Sequence, residues 1–214
     1  MHIRTRLLSA SEEDLDRAVM ALERNALVAF PTDTVYGVGA HAFHPAAVAR
    51  LYEAKERPMN KAIPLLTTPE QDLALIARDV PPAARTLAAS FWPGGLTLVL
   101  PKAPGLPDVV TAGGDTVAVR VPNHPLTLTL IGKVGAPLAT TSANMSTRPS
   151  PIRADEVVRE LGGRIEYVID GGQCPGGVES TVIDCTKDRP VILRLGLVSR
   201  AEIEHALGYP VEIA

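Results

Sequence analysis

Residues 26–40 read ALVAFPTDTVYGVGA. The apolar run Ala26–Phe30 stops at Pro31, a polar triplet Thr32-Asp33-Thr34 follows, and Tyr36 precedes glycines at 37 and 39. A short apolar run bounded by proline reads as a buried strand. Upstream, Ser11 with Asp14 makes a capping-box-like start, and Leu15, Ala18, Val19 and Leu22 recur at helical spacing, so 11–25 reads as an amphipathic helix. Downstream, Pro45 opens a helix through Ala54 that Pro58 stops. Helix, strand and helix in succession put the chain in the α/β class.

Further out, strands are expected at 63–66, 96–100, 117–121, 137–140, 166–169, 180–184 and 190–194. Helices are expected at 69–77, 82–90, 124–131, 153–161 and 199–207. Helices and strands interleave, but some strands succeed one another directly, which implies a mixed twisted sheet flanked by helices. No linker interrupts the pattern, so 1–214 is expected as one domain. Aromatics make up only 4% of the chain, so its core must be built from Ala, Val, Leu and Ile.

No apolar stretch approaches the roughly 18 residues of a membrane span. The N-terminus turns acidic too early for a secretory signal, so a cytoplasmic protein is expected. Cys174 and Cys185 are then expected as free thiols, with a disulfide as the alternative. A net charge of −3 speaks against a surface built mainly for nucleic acid, and leaves room for a local pocket that takes a small anion.

Five stretches could carry chemistry. At the end of a buried strand, side chains face the crevice where α/β sheets bind ligands. Thr32 and Thr34 alternate with Asp33, so both hydroxyls share a face. Gly37 and Gly39 would let the backbone bend or approach a ligand; the alternative is a polar strand end and turn. Lys55, Arg57 and Lys61 cluster after a helix around Pro58, which suits a polyanion such as a triphosphate or, alternatively, simple capping of the helix dipole. Thr140 to Ser146, with Arg148 and Ser150, offers hydroxyls and amides that can cradle phosphate or form an ordinary turn. Residues 170–182 form a glycine-dense loop leading through Glu179-Ser180-Thr181, either ligand-hugging or a surface connection. Finally, Arg120 and Arg194 sit on apolar strands, where a buried Arg needs an anionic partner.

There is no GxxxxGK[ST], GxSxG or HExxH, and no GxGxxG after the first strand. His41 and His44 lack cysteine or carboxylate neighbours and read as surface histidines. Without a nucleophile–base pair, the pattern points to binding and positioning of a phosphorylated ligand, with chemistry driven largely by proximity.

PTDTVYG, K-x-RP, VRVP, TSAN followed by S-x-RPS, and GGVESTVID occur in that order between residues 31 and 196. Together they resemble the YrdC-like threonylcarbamoyl-AMP synthases. That resemblance implies a single YrdC-like α/β domain with a concave, positively lined sheet face. It implies a nucleotidyltransferase that makes threonylcarbamoyl-adenylate and pyrophosphate from L-threonine, bicarbonate or CO2, and ATP. A downstream transfer complex would then place the threonylcarbamoyl group on the adenosine next to the anticodon of tRNA. Mg2+ would arrive with ATP, with no protein ligands and no metal site of its own.

By motif position, the resemblance puts Thr34, Arg120, Thr140 and Ser180 around L-threonine, with Arg120 on its carboxylate. Arg57, Lys61, Thr116, Ser142, Asn144, Ser150 and Arg194 would contact ATP. It identifies no catalytic acid or base. Two positions depart from the pattern: Leu66 stands where longer relatives carry a histidine, and Arg194-Leu195-Gly196 replaces R-P-G. The extra domain of the longer branch is expected to be absent, with any lid supplied by loops such as 144–151. Two rivals share the face: a weakly RNA-binding or ribosome-associated module, and a carbamoyl-adenylate enzyme like the YrdC-like module of hydrogenase-maturation carbamoyltransferases. The net charge opposes the first, and the chain has no room for the second's additional regions.

Overall fold

The computed structural model describes residues 3–71, 73–176 and 178–214. Asp72, within the expected 69–77 helix, and Gly177, within the glycine-dense loop, lie outside the described residues, as do the first two residues of the N-terminal segment. In chain order the elements are β1 (Arg6–Leu8), α1 (Glu12–Glu23), β2 (Val28–Phe30), β3 (Gly37–His41), α2 (Pro45–Lys55) and β4 (Leu65–Leu66). Then follow α3 (Pro82–Phe91), β5 (Leu96–Pro101), α4 (Asp108–Thr111), β6 (Thr116–Arg120), α5 (Pro125–Val134) and β7 (Leu138–Ser142). The chain continues through α6 (Ala154–Leu161), β8 (Tyr167–Ile169), β9 (Thr181–Asp184), β10 (Val191–Arg194), α7 (Arg200–Leu207) and β11 (Glu212–Ile213). One mixed sheet runs β1-β8-β2-β3-β7-β4-β6-β5-β9-β10-β11, as the interleaved pattern predicts.

Strand alternation sorts the core into two layers. Leu27 and Ala29 face the cluster built with Val48 and Leu51 of α2, Leu87 of α3, Val157 of α6 and Ile203 of α7. Val28 and Phe30 face the opposite way, onto Leu15, Val19 and Leu22 of α1 and Leu130 and Ile131 of α5. Each buried Val, Leu, Ile or Phe here contributes about 1.5–3 kcal/mol by leaving water. The second layer is short. On β4, β5 and β6 the apolar residues Leu65, Leu96, Leu98, Val117 and Val119 all belong to the first cluster, so Thr97, Thr116 and Arg120 occupy the other face. Leu66 of β4 still packs in the second cluster, but beyond it Thr97 and Arg120 line a cavity, and this polar face becomes the site.

The structure corrects the reading of the opening stretch. Gly37 and Gly39 do not release the chain; they lie inside β3, which turns back along β2 with Phe30 opposite Gly37 and Val28 opposite Gly39. Glycine lowers strand propensity and hides such a strand from pattern reading. The space is taken by neighbours: a Cβ at Gly37 would stand 2.8 Å from Thr140 Cγ2, and one at Gly39 would stand 3.0 Å from the Phe30 ring.

A second correction concerns 69–77, where among the described residues only a 3₁₀ turn forms, Leu73–Leu75. Ile76 and Ala77 are drawn into the core and Ala77 bridges Lys102, so tertiary packing overrides helix propensity. The strands β1 and β11 and the helix α4, each four residues or fewer, were not expected. His41 and His44 are half-buried, not at the surface, and stack at 3.9 Å between ring centroids. Cys174 and Cys185 are free and buried, and burial pushes their thiols up to about 11 and about 12. No helix among the described residues is long and apolar enough to cross a membrane.

Candidate active site

The connector from Pro31 to Tyr36 is tied at every turn. Thr127 Oγ1 donates to the carbonyl of Pro31, Tyr36 N donates to Pro151 O at 2.8 Å, and Gly176 N donates to Thr34 O at 2.8 Å. The Tyr36 hydroxyl donates to Gly172 O at 2.7 Å, and burial raises its pKa to about 12. The glycine-dense loop is therefore bound to the connector and is not a free surface connection.

Proton accounting fixes what the connector offers. Thr32 Oγ1 donates its one proton to Val35 O at 2.7 Å. In the 2.9 Å bond between the two hydroxyls, Thr34 must then be the donor. Thr140 Oγ1 likewise spends its proton on Leu138 O at 3.1 Å. Thr34 and Thr140, 4% and 7% exposed, thus present only lone pairs to the space beside them.

Arg120 projects from the end of β6 into the same space. Its Nε donates to Gly94 O at 2.8 Å, Nη1 to Thr34 Oγ1 at 3.3 Å and Nη2 to Asp33 Oδ1 at 2.6 Å. Burial pulls its pKa down from the usual guanidinium value, while Asp33 holds the charge in place. The sequence requirement that a buried Arg have an anionic partner is met. Across the space, Ser180 Oγ shares a 2.8 Å hydrogen bond with Thr97 Oγ1, and Arg194 Nη2 donates to Ser180 O at 2.9 Å.

These residues enclose a cavity of about 240 Å³. Its walls bring together Thr34, Arg57, Arg120, Thr140, Ser142, Ser180 and Arg194, seven of the eleven positions singled out in the sequence. Lys61 and Asn144 line an adjoining cavity of about 390 Å³ that shares Arg57 and Ser142 as its wall. Thr116 and Ser150 line neither. Thr116 is exposed at the start of β6, on the face of Arg120 but about 13 Å along the strand. Ser150 Oγ donates to Glu179 Oε1 at 3.4 Å, one side chain back from the wall.

Between the cavities, Arg57 steadies its own loop, with Nε donating to Lys61 O at 3.2 Å and Nη2 to Ala62 O at 2.9 Å. Lys55, at the end of α2, is only 2% exposed, and its amine donates to the carbonyls of Ser142 and Asn144. Burial, aided by Arg57, pushes its pKa down to about 7. The positive lining that the family resemblance implies is present in Arg57, Arg120 and Arg194, but tempered: Asp33 pairs with Arg120 and Glu179 with Arg194.

Several site residues had no role assigned from sequence. Lys55 lay in a quoted motif, read either as part of a cluster for a polyanion or as a dipole cap, without an assigned contact. Asp33 was legible in principle, because Arg120 called for a carboxylate. Thr97 lines the cavity without any sequence signal of its own, Glu179 lay in the quoted loop without an assigned contact, and Leu66, where longer relatives are expected to carry histidine, gives the cavity an apolar wall. The Arg194-Leu195-Gly196 departure keeps its glycine for a steric reason: a Cβ at Gly196 would fall 2.2 Å from Glu179 O. Among the described residues, no group of three or more His, Cys, Asp or Glu side chains is placed to hold a metal.

Known proteins resemble this chain over most of its length. The family Sua5_yciO_yrdC, described as "Telomere recombination", matches residues 20–196. The chain is 45% identical over 202 residues to a threonylcarbamoyl-AMP synthase of Bacillus subtilis (strain 168), covering 94% of this chain and 58% of the relative. It is 48% identical over 187 residues to a threonylcarbamoyl-AMP synthase of Pyrococcus abyssi (strain GE5 / Orsay), covering 87% and 55%. Among solved structures, P. abyssi Sua5 complexed with L-threonine superposes with a TM-score of 0.93 at 43% identity, over 98% of this chain and 62% of that one. The chain therefore spans little more than half the length of these curated relatives.

Proposed function

Because the chain belongs to the Sua5/YciO/YrdC family, we propose that it forms threonylcarbamoyl-adenylate and pyrophosphate from L-threonine, bicarbonate or CO2, and ATP. The product would feed N6-threonylcarbamoyladenosine modification of tRNA, through a separate transfer complex, in the cytoplasm. The observation that carries this reading is the donor–acceptor pattern of the cavity. Thr34 and Thr140 offer only acceptors while Arg120 offers only donors. A zwitterionic hydroxy-amino acid supplies the complement, with its amine and hydroxyl facing the threonines and its carboxylate facing the arginine.

In the proposed reaction the deprotonated amine of threonine bonds to carbon of CO2, or displaces water from bicarbonate, to give a carbamate, and the amine proton passes to solvent. A carbamate oxygen then bonds to the α-phosphorus of ATP as the bond to pyrophosphate breaks. Arg57 and Lys61, at the second cavity, would offset charge on the leaving group, with Ser142, Asn144, Ser150, Thr116 and Arg194 along the nucleotide. Mg2+ enters as part of the ATP substrate and supplies further neutralisation of its phosphates. No side chain is assigned as a general base. Rate is gained by holding the carbamate against the α-phosphorus.

The test is pyrophosphate release from ATP and bicarbonate, with and without L-threonine. Release that depends on threonine is expected. If folded protein releases none, the reaction is wrong and RNA binding on the same face becomes the reading, recognisable by affinity that falls steeply with salt.

A further inference from the structure

Arg120 is held on three sides, and the side that carries charge is Asp33. Its 2.6 Å contact to Nη2 joins a guanidinium 8% exposed to a carboxylate 15% exposed. Gly94 O takes Nε and Thr34 Oγ1 takes one proton of Nη1. Five N–H donors less these three leave one on each terminal nitrogen. Two parallel donors are what a carboxylate accepts from an arginine.

Asp33 is the middle residue of the Thr32-Asp33-Thr34 triplet, in the bend between β2 and β3, where Arg120 reaches both its carboxylate and the Thr34 hydroxyl. Its backbone position is fixed by the bonds around it, Thr34 N to Thr32 Oγ1 at 3.1 Å and Gly176 N to Thr34 O at 2.8 Å. One short connector thus carries both the acceptor hydroxyl and the carboxylate that aims the donor.

Resting on the proposed binding of an amino-acid carboxylate at Arg120, we propose that Asp33 is a positioning residue for that subsite. It turns the guanidinium so that its two remaining donors face the incoming carboxylate, and it acts on the substrate only through Arg120. Without it, the guanidinium keeps the two neutral anchors at Gly94 and Thr34 but loses the charged one, and rotates out of register with a planar ligand. ATP bound over Arg57 and Lys61 does not touch this pair and should not sense its loss.

The experiment is steady-state pyrophosphate release by Asp33→Asn, which keeps the shape and one acceptor, with L-threonine and ATP varied in turn. The expected result is a rise of about tenfold or more in KM for threonine, equivalent to about 1.4 kcal/mol, with KM for ATP within twofold of wild type. Asp33→Glu, which restores the charge, should recover part of the loss. In an Arg120→Lys background, Asp33→Asn should change threonine KM by less than twofold, because nothing planar remains to orient.

An unchanged threonine KM in Asp33→Asn overturns the inference, as does an equal rise for both substrates. Failure of both Asp33→Asn and Asp33→Glu to fold also overturns it, since the role would then be structural. Wild-type protein with no threonine-dependent release would instead defeat the proposed reaction. The two failures are therefore distinct.

Discussion

Thr34, Arg120, Thr140 and Ser180 are each less than a tenth exposed, and each is bonded to backbone or to a neighbouring side chain before any ligand arrives. On the other side of the cavities Asn144 is buried, Arg57, Ser142 and Ser150 are half-buried, Lys61, Thr116 and Arg194 are exposed, and Arg194 is tied to an equally exposed Glu179. Sheet geometry explains the difference. The buried side sits on strand ends and a connector locked into the sheet; the open side sits mostly on loops after α2 and β7, at the outer start of β6 and on β10 near the sheet's far edge. A small amino acid gains from a rigid, pre-formed pocket, whereas a long flexible triphosphate can be met by side chains that close on it.

The comparison breaks most directly at its two arginines. Arg120→Ala should abolish threonine-dependent pyrophosphate release. Removing one member of a buried ion pair should also cost about 3–5 kcal/mol by denaturant titration, so release is measured in protein shown by circular dichroism to be folded. Arg57→Ala should abolish release as well but with a clearly smaller stability loss. Wild-type rates in either variant, or equal stability losses, would erase the distinction.

Next in size is Gly37→Ala. With a Cβ forced to 2.8 Å from Thr140 Cγ2, overpacking should cost about 1–3 kcal/mol and raise threonine KM while leaving ATP KM unchanged. Lys55 then probes the seam between the two sides. Lys55→Met strips the donor from two carbonyls and should destabilise by about 1–3 kcal/mol.

The pH dependence has a definite sign. In the folded protein the Lys55 amine titrates at about 7, against 10.5 in the unfolded chain. Between those values the unfolded state binds the extra proton, so this residue makes stability rise with pH from about 7 to 10.5. Denaturation at pH 7 and pH 9 should show a larger gain in wild type than in Lys55→Met; an equal or smaller gain would contradict the burial of a depressed amine. The smallest effect is expected at Arg194→Ala. Its ion pair is about half exposed, so stability should change by less than about 1 kcal/mol, with KM rising for ATP and not for threonine.

Most of this was readable from residue patterns. Helices with clean caps and apolar stripes, such as α1 with Ser11 and α7 with Ser199, appear within a few residues of their expected bounds. β3 was hidden because glycines replaced the side chains that mark a strand, and only the packing of Phe30 and Thr140 reveals why. The failed helix at 69–77 shows the opposite case, good local propensity overruled by the pull of Ile76 into the core. In the site, the motif positions matched by resemblance lead to seven wall residues of the first cavity, but not every residue within those motifs received a role. Asp33, Lys55 and Glu179 were not given roles, because each acts through a partner distant in sequence: Arg120, Ser142 with Asn144, and Arg194.

The most direct test is the identity of the product. Protein incubated with ATP, L-threonine and 13C-bicarbonate should yield, by mass spectrometry, threonylcarbamoyl-adenylate carrying a single 13C, formed only when threonine is present. AMP or ADP without that adduct, or an adduct formed equally without threonine, would contradict an amino-acid pocket built around Thr34 and Arg120.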